Sequence, residues 1–192
     1  MNQILFGIAI VAASLTACNN NEQSTPNNTS SSDSNQTNSS LNATTEKQPA
    51  AVDDVVDAYL QLKNALVSDN GNEAATAGKQ LTLQIQEFDK VPLTDEQTKI
   101  YQDVKEDMLE HAEHINANAG NIEHQREHFE ILSKDMYDLV KIHKPGHTLY
   151  QTHCPMYNDG KGATWLSEVK EIKNPYYGSK MLRCGTVNEE IK

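Results

Sequence analysis

Two short segments near the C-terminus concentrate the soft ligands of this 192-residue chain. His153, Cys154 and Met156 stand together in "THCPMY", and Met181 and Cys184 follow in "KMLRCG". The sequence has only three cysteines, and two of them fall in these clusters. If the segments meet, a Cys-x-Met pair faces a Met-x-x-Cys pair. Two thiolates and two thioethers form a ligand set that selects Cu(I), and Ag(I) by the same logic. His153 could add an imidazole. Zn(II) is the other candidate, but thioethers suit it poorly. The competing reading is a disulfide. Cys154 and Cys184 are about thirty residues apart, and closing a loop of that size is worth roughly 3 to 4 kcal/mol. Met156 and Met181 would then be packing residues, the usual role of methionine. The residues alone leave both alternatives open.

The compartment bears on the choice. Ile4 to Leu15 is an apolar run, too short for a bilayer span, which takes roughly 20 residues; it fits the hydrophobic region of a secretory signal. It ends in Leu15-Thr16-Ala17-Cys18, which resembles the lipobox of bacterial lipoproteins, although "MNQ" supplies no Lys or Arg. The resemblance implies a signal peptide over 1–17 and a mature chain that begins at a lipidated Cys18. It implies a membrane-anchored protein on the periplasmic side of the envelope. Asn19, rather than Asp, points by the same analogy to the outer membrane. With Cys18 carrying lipid, an even pair of cysteines is left in an oxidising compartment, which favours the disulfide.

Residues 18–50 are rich in Asn, Ser and Thr and nearly free of apolar side chains. Such a stretch cannot offset its ordering entropy and is expected to be a disordered tether. Its reach as a flexible coil is on the order of 30 Å. The formal net charge is -11, with no cluster of Lys or Arg, which argues against a nucleic-acid partner. A negative surface concentrates cations.

The elements that must hold the clusters are mostly helical. Val52, Val55, Val56, Tyr59, Leu62 and Leu66 recur at three-and-four spacing, which predicts a first helix from Ala51 that stops at Gly71. A second is predicted over 72–90, with Leu81, Ile85 and Phe88 on one face and Pro92 as the break. Thr94 and Gln97 form a capping box that starts a third, with the stripe Tyr101, Val104, Met108, His111 and Ile115. A fourth is expected over 121–143, with Ile122, Gln125, Phe129, Leu132, Met136 and Leu139, closed by Pro145-Gly146. Short connections make consecutive helices antiparallel. The fold class predicted is therefore mainly α: a four-helix up-down bundle over 51–145. A small extended or β-hairpin extension over 146–192 completes one domain, 51–192. Asp-Gly, Lys-Gly and Asn-Pro supply its turns, and Trp165 is its expected anchor.

The body carries no Gly-rich phosphate loop, no nucleophile elbow and no His-Glu-x-x-His, so no enzyme is expected. Its histidines invite one calculation. Around a turn centred near Gly120, His111 falls level with His128, and His114 with His124. Four imidazoles on one hairpin could bind zinc or copper. Ordinary packing or surface exposure is the expected role, because His111 lies on the apolar stripe and His114 and His128 flank it.

"HCPM…GATWLS…IKNPYYGSKMLRCG", together with Ile122 to Lys141, resembles the DUF3347 family of bacterial domains of unknown function. The resemblance spans roughly Asp53 to Val187. That family occurs in exported lipoproteins and fused to periplasmic adaptors of copper/silver efflux pumps. Cys154-Pro155-Met156 is also similar to the core of short heavy-metal-binding modules, with Tyr157 and Asn158 in place of that core's His and Pro. These resemblances imply copper or a related soft metal, and a metal efflux pump or periplasmic adaptor as partner. The expected protein is a lipid-anchored Cu(I)/Ag(I)-binding protein that buffers or passes metal through Cys154, Met156, Met181, Cys184 and His153. The alternative is a disulfide-stapled helical interaction module without metal.

Overall fold

Side-chain caps set where the helices start. The computed structural model describes residues 47–192, and four long helices fill the first two-thirds of that span: α1 Lys47–Val67, α2 Gly71–Phe88, α3 Asp95–Ala117 and α4 Ile122–His143. Asn70 caps α2 by accepting from the Glu73 amide. Thr94 and Gln97 form the reciprocal capping box that opens α3. Asn121 caps α4 by accepting from the His124 amide. Each helix packs on the next, and α4 returns to α1, which closes the bundle.

Two expected boundaries move. Gly71 opens α2 rather than ending α1, because Asn70 takes the cap position in front of it. α1 begins at Lys47, so the last four residues of the expected tether are helical. The expected signal peptide, the lipidated Cys18 and the rest of the tether lie outside the described residues. Among the described residues, no helix is long and apolar enough to cross a membrane.

The stripes face inward as the spacing requires. Val52, Val56, Tyr59, Leu62 and Leu66 are fully buried, as are Leu81, Ile85, Met108, Ile115, Phe129, Leu132, Met136 and Leu139. Burying a side chain of this kind is worth about 1.5 to 3 kcal/mol, so the stripe is the main source of cohesion. α2 and α3 approach closely at Gly78, where an added Cβ would lie 2.9 Å from the Ala112 carbonyl oxygen. Gln125, buried on α4, donates from Nε2 to the carbonyls of Gly71 and Ile115 at 2.9 and 3.0 Å. That bond joins the α1–α2 turn to the α3–α4 hairpin.

The extension is a three-stranded antiparallel sheet rather than a hairpin. Its strands are β1 Leu149–Cys154, β2 Ala163–Ser167 and β3 Thr186–Ile191, in the order β2-β1-β3. β1 pairs with β2 through Cys154↔Ala163 to Tyr150↔Ser167. β3 pairs with the other edge of β1, with a bulge between Gln151 and Thr152. Trp165 is buried as expected, with its ring edge against Tyr176.

Polar side chains lock the sheet to the bundle. Tyr59 bonds to the Ser133 hydroxyl at 2.8 Å and accepts from the Leu166 amide at 3.1 Å. Lys63, fully buried, meets Glu168 at 2.6 Å. Arg126 donates from Nε to the Pro175 carbonyl at 2.8 Å, and from Nη2 to the Leu66 carbonyl at 2.9 Å and Asp69 at 2.6 Å.

Asp135 is a local weakness. Its Oδ2 is buried without a hydrogen-bond partner. Burial first, and then the charges of Asp107 and Asp138, push its carboxyl up to about 6. The folded chain therefore holds a proton that the unfolded chain releases between pH 4 and 6, and stability falls as pH rises through that window. Asp135→Asn should remove the penalty. The expected gain is about 1 to 2 kcal/mol above pH 7, allowing for solvent screening, and nothing below pH 4. Urea unfolding at the two pH values measures the difference.

Candidate functional site

The ladder between β1 and β3 brings the two sulfur clusters together. Thr152 pairs with Val187 and His153 with Thr186, so the chain just before β3 runs past the end of β1. There Cys154 Sγ and Cys184 Sγ lie 3.4 Å apart. This is well beyond the roughly 2.05 Å of a disulfide bond. The pair is two free thiols in contact, Cys154 buried and Cys184 half-buried.

Asn174 holds this end in shape. It is fully buried, and its Nδ2 donates to the Cys184 carbonyl at 2.7 Å. Its Oδ1 accepts from the amides of Tyr176 and Tyr177 at 2.8 and 3.2 Å. Tyr177 in turn donates its hydroxyl to the Met156 carbonyl at 2.9 Å. One asparagine and one tyrosine thus tie the segment after Cys154 to the segment that ends at Cys184. Burial, followed by the hydrogen bond and charge of Cys154, pushes the Cys184 thiol up from its ordinary value. The Cys184 sulfur is therefore a thiol at neutral pH, and a metal binding there would displace its proton.

The other expected ligands differ in placement. Met156 and Met181 are 55% and 38% exposed, which puts their thioethers at the solvent side of the two segments. His153 precedes Cys154 on β1, and strand alternation sends the two side chains to opposite faces. Its Nε2 lies over Gly162, at a spot where a Cβ would collide with it. Thus the thiols are paired, the thioethers flank them in sequence, and His153 faces away. Beside this end, a cleft of about 300 Å³ lies between α4 and the extension, with Arg126, Tyr157, Tyr176 and Tyr177 in its walls.

A second cluster sits on the α3–α4 hairpin. His111 Nδ1 and His128 Nδ1 are 2.9 Å apart, the pairing expected from their equal distance to the turn. The His114 and His124 rings approach edge to face at 6.5 Å between centroids. Two further contacts join the pairs: His114 stacks on His128 at 4.4 Å, and His124 Nε2 meets His128 Nε2 at 3.1 Å. Glu127 Oε2 accepts from His124 Nδ1 at 2.9 Å. Burial first, then the neighbouring imidazoles, lower His128 to about 4, and burial also lowers His111. Ligand atoms of His114, His124 and His128 all lie within 4.8 Å of one another. The equal-distance calculation finds which rings meet. It does not reveal that three of them bring a ring nitrogen within 4.8 Å of one another.

Residues 55–148 match the model of a family described as a protein of unknown function, DUF3347. The match contains the four-helix body from within α1 onward and the whole histidine hairpin. It stops before β1, so it is shorter than the expected Asp53–Val187, and both cysteines lie beyond it. No curated protein matches the chain, and no solved structure does.

Proposed function

From the premise that residues 55–148 belong to the DUF3347 family, whose description assigns no activity, we propose that the chain is a soft-metal-binding protein of the cell envelope. It takes Cu(I), or Ag(I), on Cys154 and Cys184. The observation that carries the reading is the pair of free thiols at 3.4 Å, one buried and one half-buried. Two sulfurs at that distance need only small side-chain rotations to share a soft monovalent ion. Both thiols lose their protons as the ion binds.

The thioethers of Met156 and Met181, on the solvent side of the two segments, would add weaker ligation to the ion held by the thiol pair. The role is ligand exchange, buffering or passing metal to an efflux pump or periplasmic adaptor, and not catalysis. The lipid on Cys18 would keep the domain at the membrane, and the tether would set its reach. Met156→Leu and Met181→Leu should each weaken Cu(I) binding about tenfold and leave the melting temperature unchanged, since both side chains are largely outside the core. Binding equal to the parent in both variants would make the thioethers bystanders.

A second reading has the same contact as its support. Cys154 and Cys184 are positioned to close a loop of 30 residues, and an oxidised pair would make the chain a disulfide-stapled interaction module. Alkylation of the protein in freshly opened envelope separates the two. Thiols that label only after a copper chelator is added support metal binding. Cysteines that label only after reduction, with or without the chelator, support the staple.

A further inference from the structure

The histidine hairpin is a poor way to pack two helices. At a half-buried helix seam, apolar side chains would fill the same space without unpaired nitrogens. Here His111 of α3 meets His128 of α4 nitrogen to nitrogen, and His128 meets His124 one turn away on α4. Each facing pair needs one proton between its nitrogens. One neutral arrangement satisfies every contact: His124 donates from Nδ1 to Glu127, His128 donates from Nε2 to His124, and His111 donates from Nδ1 to His128. The proton between His124 Nε2 and His128 Nε2 lies where a cation would bridge the same two lone pairs. His114 stacks on the face of His128 and keeps a ring nitrogen within 4.8 Å of the other two ligand atoms.

We propose that His114, His124 and His128 form a metal site of their own, which takes a divalent ion of the zinc or copper(II) class on three imidazole nitrogens and leaves a further coordination position open to solvent.

The distances suit such an ion. Zn–N bonds of about 2.0 to 2.1 Å in a tetrahedral site separate ligand nitrogens by about 3.3 Å. His124 and His128 already stand at 3.1 Å. The third ligand is recruited when the exposed His114 ring leaves its stack on His128 and turns a nitrogen toward the ion. Imidazole ligands without sulfur favour borderline divalent ions over Cu(I). Metal-bound histidines characteristically use their second nitrogen to hold a carboxylate or other acceptor. Glu127 is that partner for His124, and His111 for His128. On binding, the His128 proton moves from Nε2 to Nδ1 and is donated to His111 Nδ1, whose own proton shifts to its Nε2. No proton has to leave the protein. The site lies at the surface, with His114 exposed and His124 and His128 half-buried, so water can reach the ion.

This site shares no residue with the thiol pair, and the test keeps them apart. The full chain carrying Cys184→Ser, without a polyhistidine tag, is titrated with Zn2+ against a chromophoric chelator. A parallel sample receives Cu2+ for electron paramagnetic resonance. One ion per chain is expected, with nitrogen hyperfine structure from the Cu2+ sample. Glu127→Gln should weaken Zn2+ binding by about 10- to 100-fold. His114→Ala removes a ligand outright and should cost more than 100-fold. His114 is exposed on α3, so this variant should keep the parent's circular dichroism and melting temperature. His124→Ala provides a second, independent ligand deletion. Absence of a bound ion in the folded Cys184→Ser chain would overturn the proposal. So would His114→Ala and His124→Ala variants that bind as the parent does.

Discussion

Replacing Cys184 by Ser is expected to lower Cu(I) affinity by at least about a thousandfold, or about 4 kcal/mol. The cause is chemical: a hydroxyl oxygen cannot replace a thiolate on a soft monovalent ion. Cys154→Ser should have the same effect on the metal but a worse one on the fold. Cys154 is fully buried at the end of β1, and a serine hydroxyl placed there without a partner costs about 1 to 3 kcal/mol. Cys184 is half-buried, so its variant is the cleaner experiment. The measurement is Cu(I) competition with a chelator under anaerobic conditions, with thermal melting as the control. A Cys184→Ser variant that keeps the parent's affinity would remove the thiol pair from the account.

Arg126→Ala is expected to destabilise the fold by about 2 to 3 kcal/mol, since a buried carbonyl left without its donor costs about 1 to 3 kcal/mol and the packing of the guanidinium stem is lost with it. The guanidinium is nearly enclosed, with its side chain 5% exposed, and it serves three segments at once. Its loss strands the Pro175 carbonyl, leaves the Leu66 carbonyl with the Asp69 amide alone at 3.2 Å, and removes the cation beside Asp69. Asp69 keeps the Ser179 amide at 3.0 Å, so the turn around Gly178 does not let go completely. Arg126→Lys should recover little, since an ammonium cannot reproduce the fork that reaches Pro175 and Leu66 together. Urea unfolding measures the loss. The Tyr176–Tyr177 turn that Arg126 steadies is also bonded to Asn174, and Asn174 holds the Cys184 carbonyl. Weaker Cu(I) binding should therefore accompany the lost stability. A change below about 1 kcal/mol would show that the extension does not depend on this residue.

The helical bundle could be read from the sequence because its signals are local and periodic. Val52 to Leu66 and Tyr101 to Ile115 repeat at three and four, and Thr94 and Gln97 announce a start. Arg126 gave no such signal. It falls among the charged residues of α4, and only the arrival of Leu66, Asp69 and Pro175 makes it a core residue. β3 is only partly legible for a related reason. Thr186 to Ile191 is mostly polar and mostly exposed, with Ile191 alone buried, so it lacks the alternation that marks a strand. The separation of His153 from Cys154 was in principle readable, because neighbours on a strand point apart. That the two thiols could meet is legible as a possibility, from two clusters with turn residues between them. Their distance is not, since it depends on the register of β3 beside β1.

The most direct test is anaerobic titration of the full chain in detergent with Cu(I), against a competing chelator, beside a thiol count on the untreated protein. The account predicts one Cu(I) held in competition with the chelator, and two thiols that titrate once the metal is removed. No competitive binding, together with no free thiols before reduction, would contradict it and would make Cys154–Cys184 a structural staple.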